Sequence, residues 1–224
     1  MAALFITGTG TDIGKTYVTA GLIRALRASG RAVEVLKPVV SGFDPQAPDG
    51  SDPAVLLEAL GMTWSAEALE HISPWQFLAP LSPPLAANRE GRALDRAEVI
   101  ALCRDRIIRA EDRLLLIEGA GGVMSPLDDD HTMLDLARAL QIPVLLVSGS
   151  YLGTISHTLT AALALRSTGV EMLAVVISES VDGPPLDETV QILRRFLHDV
   201  PVITIRRGEA APTDLLRRIA AVLS

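Results

Sequence analysis

The chain has 224 residues and a formal net charge of −7 at pH 7, and 49% of its residues are hydrophobic. The acidic balance opposes non-specific attraction to nucleic acid or to an anionic membrane, and an aromatic content of 4% argues against a surface that stacks single-stranded bases. The apolar content suffices for a large core, and α/β folds of this length are often single. We therefore expect one domain over residues 1–224.

Cysteine usage and the N-terminal segment bear on location. The single cysteine, Cys103, cannot form an internal disulfide, which agrees with a cytoplasmic location. It lies in a helical pattern over residues 95–109 with no histidine or asparagine partner evident around it, so a packed thiol is a better interpretation than a nucleophile. No basic segment precedes the N-terminal apolar run, and no apolar stretch reaches the roughly 18 residues of a membrane span. We expect neither a signal peptide nor a membrane partner.

Short apolar runs alternate with segments of helical spacing along the chain. This alternation predicts an α/β fold, a doubly wound and mostly parallel sheet that binds ligands at the carboxyl ends of its strands. Two stretches rich in proline, glycine and serine, 44–52 and 73–84, are interpreted as long surface loops. The predicted strands are residues 3–7, 33–40, 114–118, 143–148, 173–178 and 201–205.

A glycine-rich segment follows the first predicted strand and precedes a helical pattern over residues 16–29. Its glycines allow successive backbone N–H groups to converge on phosphate oxygens at a helix N-terminus, as in the P-loop. Lys15 would contact the β- and γ-phosphates of a nucleotide, and the Thr16 hydroxyl would bind Mg²⁺. The fold is therefore predicted to be of the P-loop NTPase type. The segment is Thr7-Gly8-Thr9-Gly10-Thr11-Asp12-Ile13-Gly14-Lys15-Thr16.

This loop departs from the usual G-x-x-x-x-G-K-T pattern at one position, because Thr9 stands where the first glycine would be, between Gly8 and Gly10. A glycine-rich turn that binds nothing is the alternative interpretation. The placement of Gly-Lys-Thr at the junction of a strand and a helix favours phosphate binding.

Lys37 and Ser41 follow the second predicted strand. A lysine at the carboxyl end of an inner strand would lie in the ligand crevice, where its charge could hold a phosphate or a carboxylate, and the Ser41 hydroxyl could donate to the same anion. An edge lysine that extends into solvent is the alternative.

The third predicted strand ends in Glu118-Gly119-Ala120-Gly121-Gly122. An acidic residue at the end of a buried strand matches the second metal-binding element of P-loop enzymes, where a carboxylate faces Mg²⁺ beside the Thr16 hydroxyl. The glycines would leave room for substrate. A structural carboxylate that caps a neighbouring loop is the alternative.

Three further segments, which are acidic or lie at predicted helix starts, give weaker evidence of a functional role. Asp52 precedes a helical pattern over residues 55–60, where an N-cap is the simpler interpretation. The acids at 128–130 precede a helix start at Thr132 with Asp135, so they are interpreted as complementing a helix N-terminus and not as a metal cluster. The helix start at 153–156 has free N–H groups that could bind a carboxylate, and His157 is interpreted as an ordinary helix residue.

Several motifs, taken together and in their order along the chain, resemble those of the dethiobiotin synthase family over most of residues 1–185. The combination of the loop with Glu-Gly-Ala-Gly-Gly is specific, whereas either motif alone would be moderate evidence. The motifs that carry the resemblance are the glycine-rich loop, Lys37-Pro38-x-x-Ser41-Gly42, Gly50-Ser51-Asp52, Glu118-Gly119-Ala120-Gly121-Gly122 and Leu152-Gly153-x-x-Ser156-His157.

The resemblance implies an ATP-dependent, Mg²⁺-dependent ligase of biotin biosynthesis that forms a ureido ring from 7,8-diaminononanoate (7,8-diaminopelargonate) and CO₂. An amine of the substrate would capture CO₂ as a carbamate, which would attack the γ-phosphate of ATP. The second amine would then displace phosphate from the carbamic-phosphoric anhydride and close the ring. Positioning and charge neutralisation would supply most of the catalysis.

The same resemblance implies residue roles and a homodimer. The catalytic residues would be Lys15, Lys37 and Thr11, and the metal ligands Thr16, Asp52 and Glu118. The substrate would contact Thr11, Lys37, Ser41 and Gly121, and its distant carboxylate would contact Gly153, Thr154, Ile155 and Ser156 of a second subunit. ATP would contact Gly8, Thr9, Gly10, Thr11, Asp12, Ile13, Gly14, Lys15, Thr16, Glu118, Gly121 and Glu179.

Two residues and one segment depart from the family pattern. Asp12 replaces a frequent glutamate, and Glu179 stands where an asparagine commonly reads adenine. Ile205-Arg206-Arg207-Gly208-Glu209 replaces a Gly-x-Ile-Pro-like segment that lines the base pocket. The alternative function is a nucleotide-dependent switch or regulatory ATPase of the same fold, a class that often carries a lysine where this chain has Gly10.

Overall fold

A computed structural model describes residues 3–209 and 211–222. Within these residues the chain forms eight β-strands and nine helices. The strands are β1 (Ala3–Gly8), β2 (Val33–Leu36), β3 (Val39–Ser41), β4 (Trp75–Phe77), β5 (Leu114–Glu118), β6 (Val144–Gly149), β7 (Met172–Ser178) and β8 (Val202–Ile205). The helices are α1 (Lys15–Ala28), α2 (Asp52–Leu60), α3 (Ala66–Ile72), α4 (Pro83–Arg89), α5 (Arg96–Arg109), α6 (Met133–Leu140), α7 (Thr154–Ser167), α8 (Leu186–Phe196) and α9 (Thr213–Val222).

Six strands form one parallel sheet in the order β2-β5-β1-β6-β7-β8. The order reverses direction at β1, which lies between β5 and β6, so loops that follow β1 and β5 meet at the same edge of the sheet. The doubly wound, mostly parallel α/β fold predicted from the alternating pattern is confirmed.

The two faces of the sheet are covered by different helices. Along β1, Phe5 points into a core shared with α5, α6, α7 and α8, whereas Leu4 and Ile6 point into a core shared with α1, α2 and α9. Because both faces are buried, the strands are apolar at consecutive positions and not at alternate ones. This is why β5 has the sequence Leu-Leu-Leu-Ile-Glu and is buried throughout.

The strand predicted over residues 33–40 is wrong as a single element. The chain leaves the edge of the large sheet after β2, and β3 pairs instead with β4 in a separate two-stranded parallel sheet. Pro38 has no N–H to continue the ladder, and the N–H of Lys37 donates to the carbonyl of Ile72 at 2.7 Å. β2 is also an edge strand, so the prediction that Lys37 follows an inner strand is wrong, although the side chain is buried.

The surface loop predicted over residues 73–84 is likewise corrected. It contains β4, and Pro83 begins α4, where its fixed φ and missing N–H suit the first turn of a helix. The prediction failed because proline and serine are common not only in loops but also at helix starts and in edge strands, and composition alone does not distinguish these settings.

Several helix starts follow the sequence. Thr132 and Asp135 form a capping box at the start of α6, and the Asp95 side chain accepts a hydrogen bond from the N–H of Ala97 at the start of α5. The N-cap of α2 is Ser51 and not Asp52, which corrects that interpretation by one residue. Asp128 accepts hydrogen bonds from the N–H groups of Asp130 and His131, so it stabilises the preceding turn.

Cys103 is completely buried on α5, and burial raises the pKa of its thiol to about 12. The prediction of a packed thiol is confirmed. Among the described residues, no helix combines the length and apolar character needed to cross a membrane.

Candidate active site

The pairing of β1 with β5 places the glycine-rich loop beside Glu118. Ile6 of β1 lies opposite Glu118, and the loop begins two residues later. β2 pairs with the other edge of β5, so Lys37, the residue after β2, reaches the same place. Three separate segments of the chain therefore converge at the carboxyl ends of adjacent parallel strands.

The loop leaves β1 and enters α1 through Gly14, which has a φ of 95° that residues with a side chain rarely adopt. A second close contact involves Gly122, in the segment after β5. A Cβ atom there would lie 3.0 Å from the N atom of Gly10, so only glycine lets this segment pack against the loop. The Lys15 ammonium donates a hydrogen bond to the carbonyl of Gly10 at 2.7 Å, which folds the lysine over the loop.

Lys37 lies between two carboxylates. Its Nζ atom is 2.7 Å from Glu118 Oε1 and 2.9 Å from Asp52 Oδ2. The side chain of Lys37 is 4% exposed and that of Glu118 is 0% exposed, whereas that of Asp52 is 46% exposed. Asp52 is the first residue of α2, where its charge also favours the helix N-terminus.

The two lysines have opposite pKa shifts. Burial and the nearby charge of Lys37 lower the pKa of Lys15 to about 8, although the surrounding carboxylates oppose this shift. Burial alone would lower the pKa of Lys37, but Glu118 and Asp52 outweigh burial and raise it above its usual value. The charge of Lys37 in turn lowers the pKa of Asp52 against the effect of burial. Lys37 is therefore a permanent cation in this site.

The hydroxyl of Thr16 donates to Glu118 Oε1 at 2.7 Å, and the Lys37 ammonium lies between Glu118 and Asp52, so the predicted metal ligands Thr16, Asp52 and Glu118 are grouped around that ammonium. One hydroxyl and two carboxylates are hard oxygen donors of the kind that Mg²⁺ prefers, with coordination completed by phosphate oxygens and water. These oxygen donors fit a nucleotide-bound Mg²⁺ that would share the two carboxylates with Lys37.

A cavity of about 840 Å³ opens over these groups. One side is formed by the phosphate loop and the first turn of α1, and the other by β3 and the turn that precedes α4. Glu118 does not line the cavity; it lies behind Lys37 and Thr16, which do, and accepts a hydrogen bond from each. Residues that line the cavity include Thr11, Asp12, Gly14, Lys15, Thr16, Lys37, Ser41, Asp52 and Gly121.

The remaining predicted site residues fall in three groups. Gly8, Thr9, Gly10 and Ile13 build the loop and do not line the cavity. Gly153, Thr154, Ile155 and Ser156 lie at the start of α7, outside the cavity, where Gly153 and Ser156 are exposed and no side chain caps the helix. Glu179 also lies outside the cavity, and its Oε2 atom accepts a hydrogen bond from the N–H of Arg207 at 3.0 Å.

The structure adds residues that sequence patterns missed. The Thr19 hydroxyl donates to Glu118 Oε2, and its place one helical turn after Thr16 was a signal that could have found it. The Ser125 hydroxyl accepts from the N–H of Gly122 at 2.7 Å and lines the cavity. Pro80 and Pro83, which also line it, were hidden in the stretch interpreted as a surface loop.

Comparisons with known proteins identify the family of this chain. A family model described as an AAA domain matches residues 2–205. An ATP-dependent dethiobiotin synthetase of Caulobacter sp. strain K31 is 55% identical over 210 residues, which cover 94% of this chain and 90% of the relative. The chain belongs to the dethiobiotin synthetase family. A dethiobiotin synthetase of Methylobacterium nodulans is 48% identical and is matched over 99% of this chain and 100% of its own length.

Solved structures outside the dethiobiotin synthetase family share the fold. The signal recognition particle receptor FtsY of Elizabethkingia anophelis superposes with a TM-score of 0.54 at 16% identity, covering 100% of this chain and 65% of the receptor. The cell division protein MinD of Aquifex aeolicus superposes with a TM-score of 0.53 at 15% identity, covering 99% of this chain and 87% of MinD. At these identities the likeness concerns the fold alone, and it agrees with the doubly wound α/β sheet described above.

Proposed function

We propose that this chain is an ATP-dependent dethiobiotin synthetase, a ligase of biotin biosynthesis that closes a ureido ring on 7,8-diaminononanoate with CO₂. The single observation that carries the proposal is the position of Lys37. Its ammonium lies beside Glu118 and Asp52 on the wall of a cavity that also contains Lys15 and Thr16 of the phosphate loop. The names of the relatives supply the dependence on ATP and the product, dethiobiotin, and the family resemblance supplies the diamine and CO₂.

The phosphate loop binds the triphosphate. Residues 8–16 surround the phosphates with backbone N–H groups, and the N-terminus of α1 adds its dipole. The Lys15 side chain exchanges its hydrogen bond to the Gly10 carbonyl for phosphate oxygens. Thr16, Asp52 and Glu118 hold Mg²⁺, which when bound neutralises charge on the phosphate oxygens.

The diamine lies in the cavity between the phosphate loop and the wall formed by β3 and Pro80–Pro83. One amine adds to CO₂, loses a proton and becomes a carbamate anion. Lys15 and Lys37 stabilise this anion, and Thr11, Ser41 and Gly121 contact the substrate beside it. An oxygen of the carbamate attacks the γ-phosphorus, and ADP leaves.

Ring closure follows in the same cavity. The second amine attacks the carbonyl carbon of the carbamic-phosphoric anhydride, inorganic phosphate leaves, and the cyclic urea is formed. The side chains named here orient reactants and balance charge, and none forms a covalent bond with the substrate. Two lysines, several hydroxyls and glycines line the cavity, and these groups can orient reactants and balance charge without covalent catalysis.

The distant carboxylate of the substrate binds to the N–H groups of Gly153, Thr154, Ile155 and Ser156 from a second subunit, so the working unit is a homodimer. Two features support this: α7 begins in an exposed position without a side-chain cap, and the neighbouring Leu152 is 90% exposed. A large apolar side chain so exposed is suited to burial against another chain.

Glu179 contacts the nucleotide base from the end of β7. A carboxylate only accepts hydrogen bonds, so it selects a base with an N–H donor such as the amino group of adenine. Its present partner, the N–H of Arg207, belongs to the loop after β8 that forms the outer side of the base site.

The test measures phosphate release with purified protein, ATP and Mg²⁺, with the diamine and bicarbonate added separately and together. We expect release to require both, with dethiobiotin formed in equal amount. A nucleotide-dependent switch would hydrolyse ATP without either compound, and that outcome would overturn the proposal. The absence of an early loop lysine, with Gly10 in its place, also disfavours the switch.

A further inference from the structure

Both carboxylate oxygens of the completely buried Glu118 are hydrogen-bonded, and they face different partners. Oε1 accepts from Thr16 Oγ1 and from Lys37 Nζ, each at 2.7 Å. Oε2 accepts from Thr19 Oγ1 at 2.5 Å. Oε1 thus contacts two residues that line the cavity, Thr16 and Lys37, whereas Oε2 contacts Thr19, which does not line it.

Thr19 lies one turn after Thr16 on α1, is completely buried and does not line the cavity. Its hydroxyl has one hydrogen and two acceptors nearby, Glu118 Oε2 at 2.5 Å and the Lys15 carbonyl at 2.9 Å. The shorter distance and the negative charge favour the carboxylate. A short, charge-assisted bond to one oxygen restricts rotation about the last torsion of the glutamate, which is otherwise broad.

This restriction matters because a divalent cation is sensitive to where each ligand oxygen points. If Glu118 rotated, Oε1 would leave its position beside Thr16 Oγ1 and Lys37 Nζ. Groups that orient a ligand in this way typically change metal affinity by about 10- to 100-fold when they are removed.

We propose that Thr19 is a positioning residue of the metal site, which holds Glu118 Oε2 so that Oε1 is presented to the cation. The inference rests on the proposed function, in which Glu118 binds Mg²⁺ together with the nucleotide. Thr19 contacts neither substrate nor cation, and its whole effect is transmitted through Glu118.

The experiment uses the full chain and the β,γ-imido analogue of ATP, whose dissociation constant is measured by calorimetry with and without Mg²⁺. We expect Mg²⁺ to strengthen binding of the analogue to the wild type. Thr19→Val should reduce that gain by about tenfold while the metal-free affinity stays within about twofold. Thr19→Ser keeps the hydroxyl and should restore the gain.

Turnover gives a second readout. In Thr19→Val the Mg²⁺ concentration at half-maximal rate should rise by about tenfold, whereas kcat at saturating Mg²⁺ should fall much less. Thr19→Cys has a weaker donor of similar size and should lie between the serine and valine variants, which keeps the series informative if the valine variant does not fold.

The matched control is Thr158→Val. Thr158 of α7 is also completely buried, and its hydroxyl donates to Oγ of Ser148 in β6 at 3.0 Å. The Thr158→Val variant loses one buried hydroxyl that has no contact with Glu118. Its gain in affinity for the ATP analogue on addition of Mg²⁺ should therefore equal that of the wild type. A wild type whose analogue affinity is indifferent to Mg²⁺ would overturn the metal site itself. An undiminished gain in Thr19→Val, with a normal gain in the wild type, would overturn the role of Thr19 alone.

Discussion

Lys37 Nζ lies 2.7 Å from Glu118 Oε1, and the two side chains are 4% and 0% exposed. A buried pair of this kind contributes little net stability, because desolvation offsets the attraction, but loss of one partner leaves an uncompensated buried charge. The pair therefore connects the stability of the fold with the chemistry of the site.

The first prediction concerns this pair. Lys37→Met and Glu118→Gln should each remove most turnover, and Lys37→Met should lower the free energy of unfolding by about 3 kcal/mol. The double variant should recover part of the stability without recovering turnover, since the lone charge is gone. Urea denaturation and dethiobiotin formation measure the two effects. Near-normal turnover in both single variants would contradict the assignment of the site.

The second prediction concerns the contact between Gly122 and the phosphate loop. Gly122→Ala places a Cβ atom 3.0 Å from the backbone of Thr9 and Gly10, which must move, so affinity for the ATP analogue should fall by more than about tenfold. Gly21→Ala is the control, because a Cβ atom there has no neighbour within 4 Å. That variant should keep its affinity and gain about 0.5–1 kcal/mol from helix propensity. Calorimetry and thermal denaturation distinguish the two.

The third prediction concerns the base. If Glu179 accepts a hydrogen bond from the adenine amino group, the wild type should prefer ATP over inosine triphosphate, whose base presents a carbonyl oxygen there. Glu179→Ala should reduce this preference by about tenfold. Glu209→Ala is the control, since Glu209 also accepts from a backbone N–H of the same loop, at Arg206. An unchanged ratio of kcat/KM values in Glu179→Ala would exclude Glu179 from base selection.

The fourth prediction concerns sharing of the site between subunits. Gly153 has a φ of 96°, so Gly153→Val should disturb the start of α7 and raise KM for the diamine. When Gly153→Val and Glu118→Gln subunits are mixed, each hybrid dimer would contain one intact composite site. At a diamine concentration far below the raised KM, where Gly153→Val is nearly inactive, activity should then return to about a quarter of the wild-type value. Mixtures that stay as inactive as the separate variants would contradict a site that two subunits share.

The fifth prediction follows from Cys103, whose pKa burial raises from 9.0 to about 12. Between these values the folded chain keeps a proton that the unfolded chain loses. The free energy of unfolding should therefore fall with rising pH, by about 1.4 kcal/mol per pH unit above the lower value. Cys103→Ala lacks this contribution, so the stability difference between wild type and variant should shrink as pH rises from 9.0. Parallel stability curves in urea would contradict it.

The sequence predicted the large sheet well, because strands buried on both faces appear as continuous apolar runs such as Leu114–Ile117. It also placed Lys37 and Glu118 in one crevice, from their positions after predicted strands, whereas Asp52 joined them through the family resemblance alone. It did not predict β4, because a three-residue strand gains its stability from a distant partner, β3, and leaves little pattern of its own. The hydrogen bond between Thr19 and Glu118 was missed for a similar reason, since its partners are 99 residues apart.

The two walls of the cavity belong to different sheets. The phosphate loop extends from the six-stranded sheet, whereas Ser41 and the Pro80–Pro83 turn extend from the small sheet of β3 and β4. Under the proposed function, substitutions on the small sheet should reshape the side of the cavity that binds the diamine while leaving the phosphate loop in place. For protein engineers who seek ligases acting on longer or branched diamines, that small sheet is the natural place to randomise.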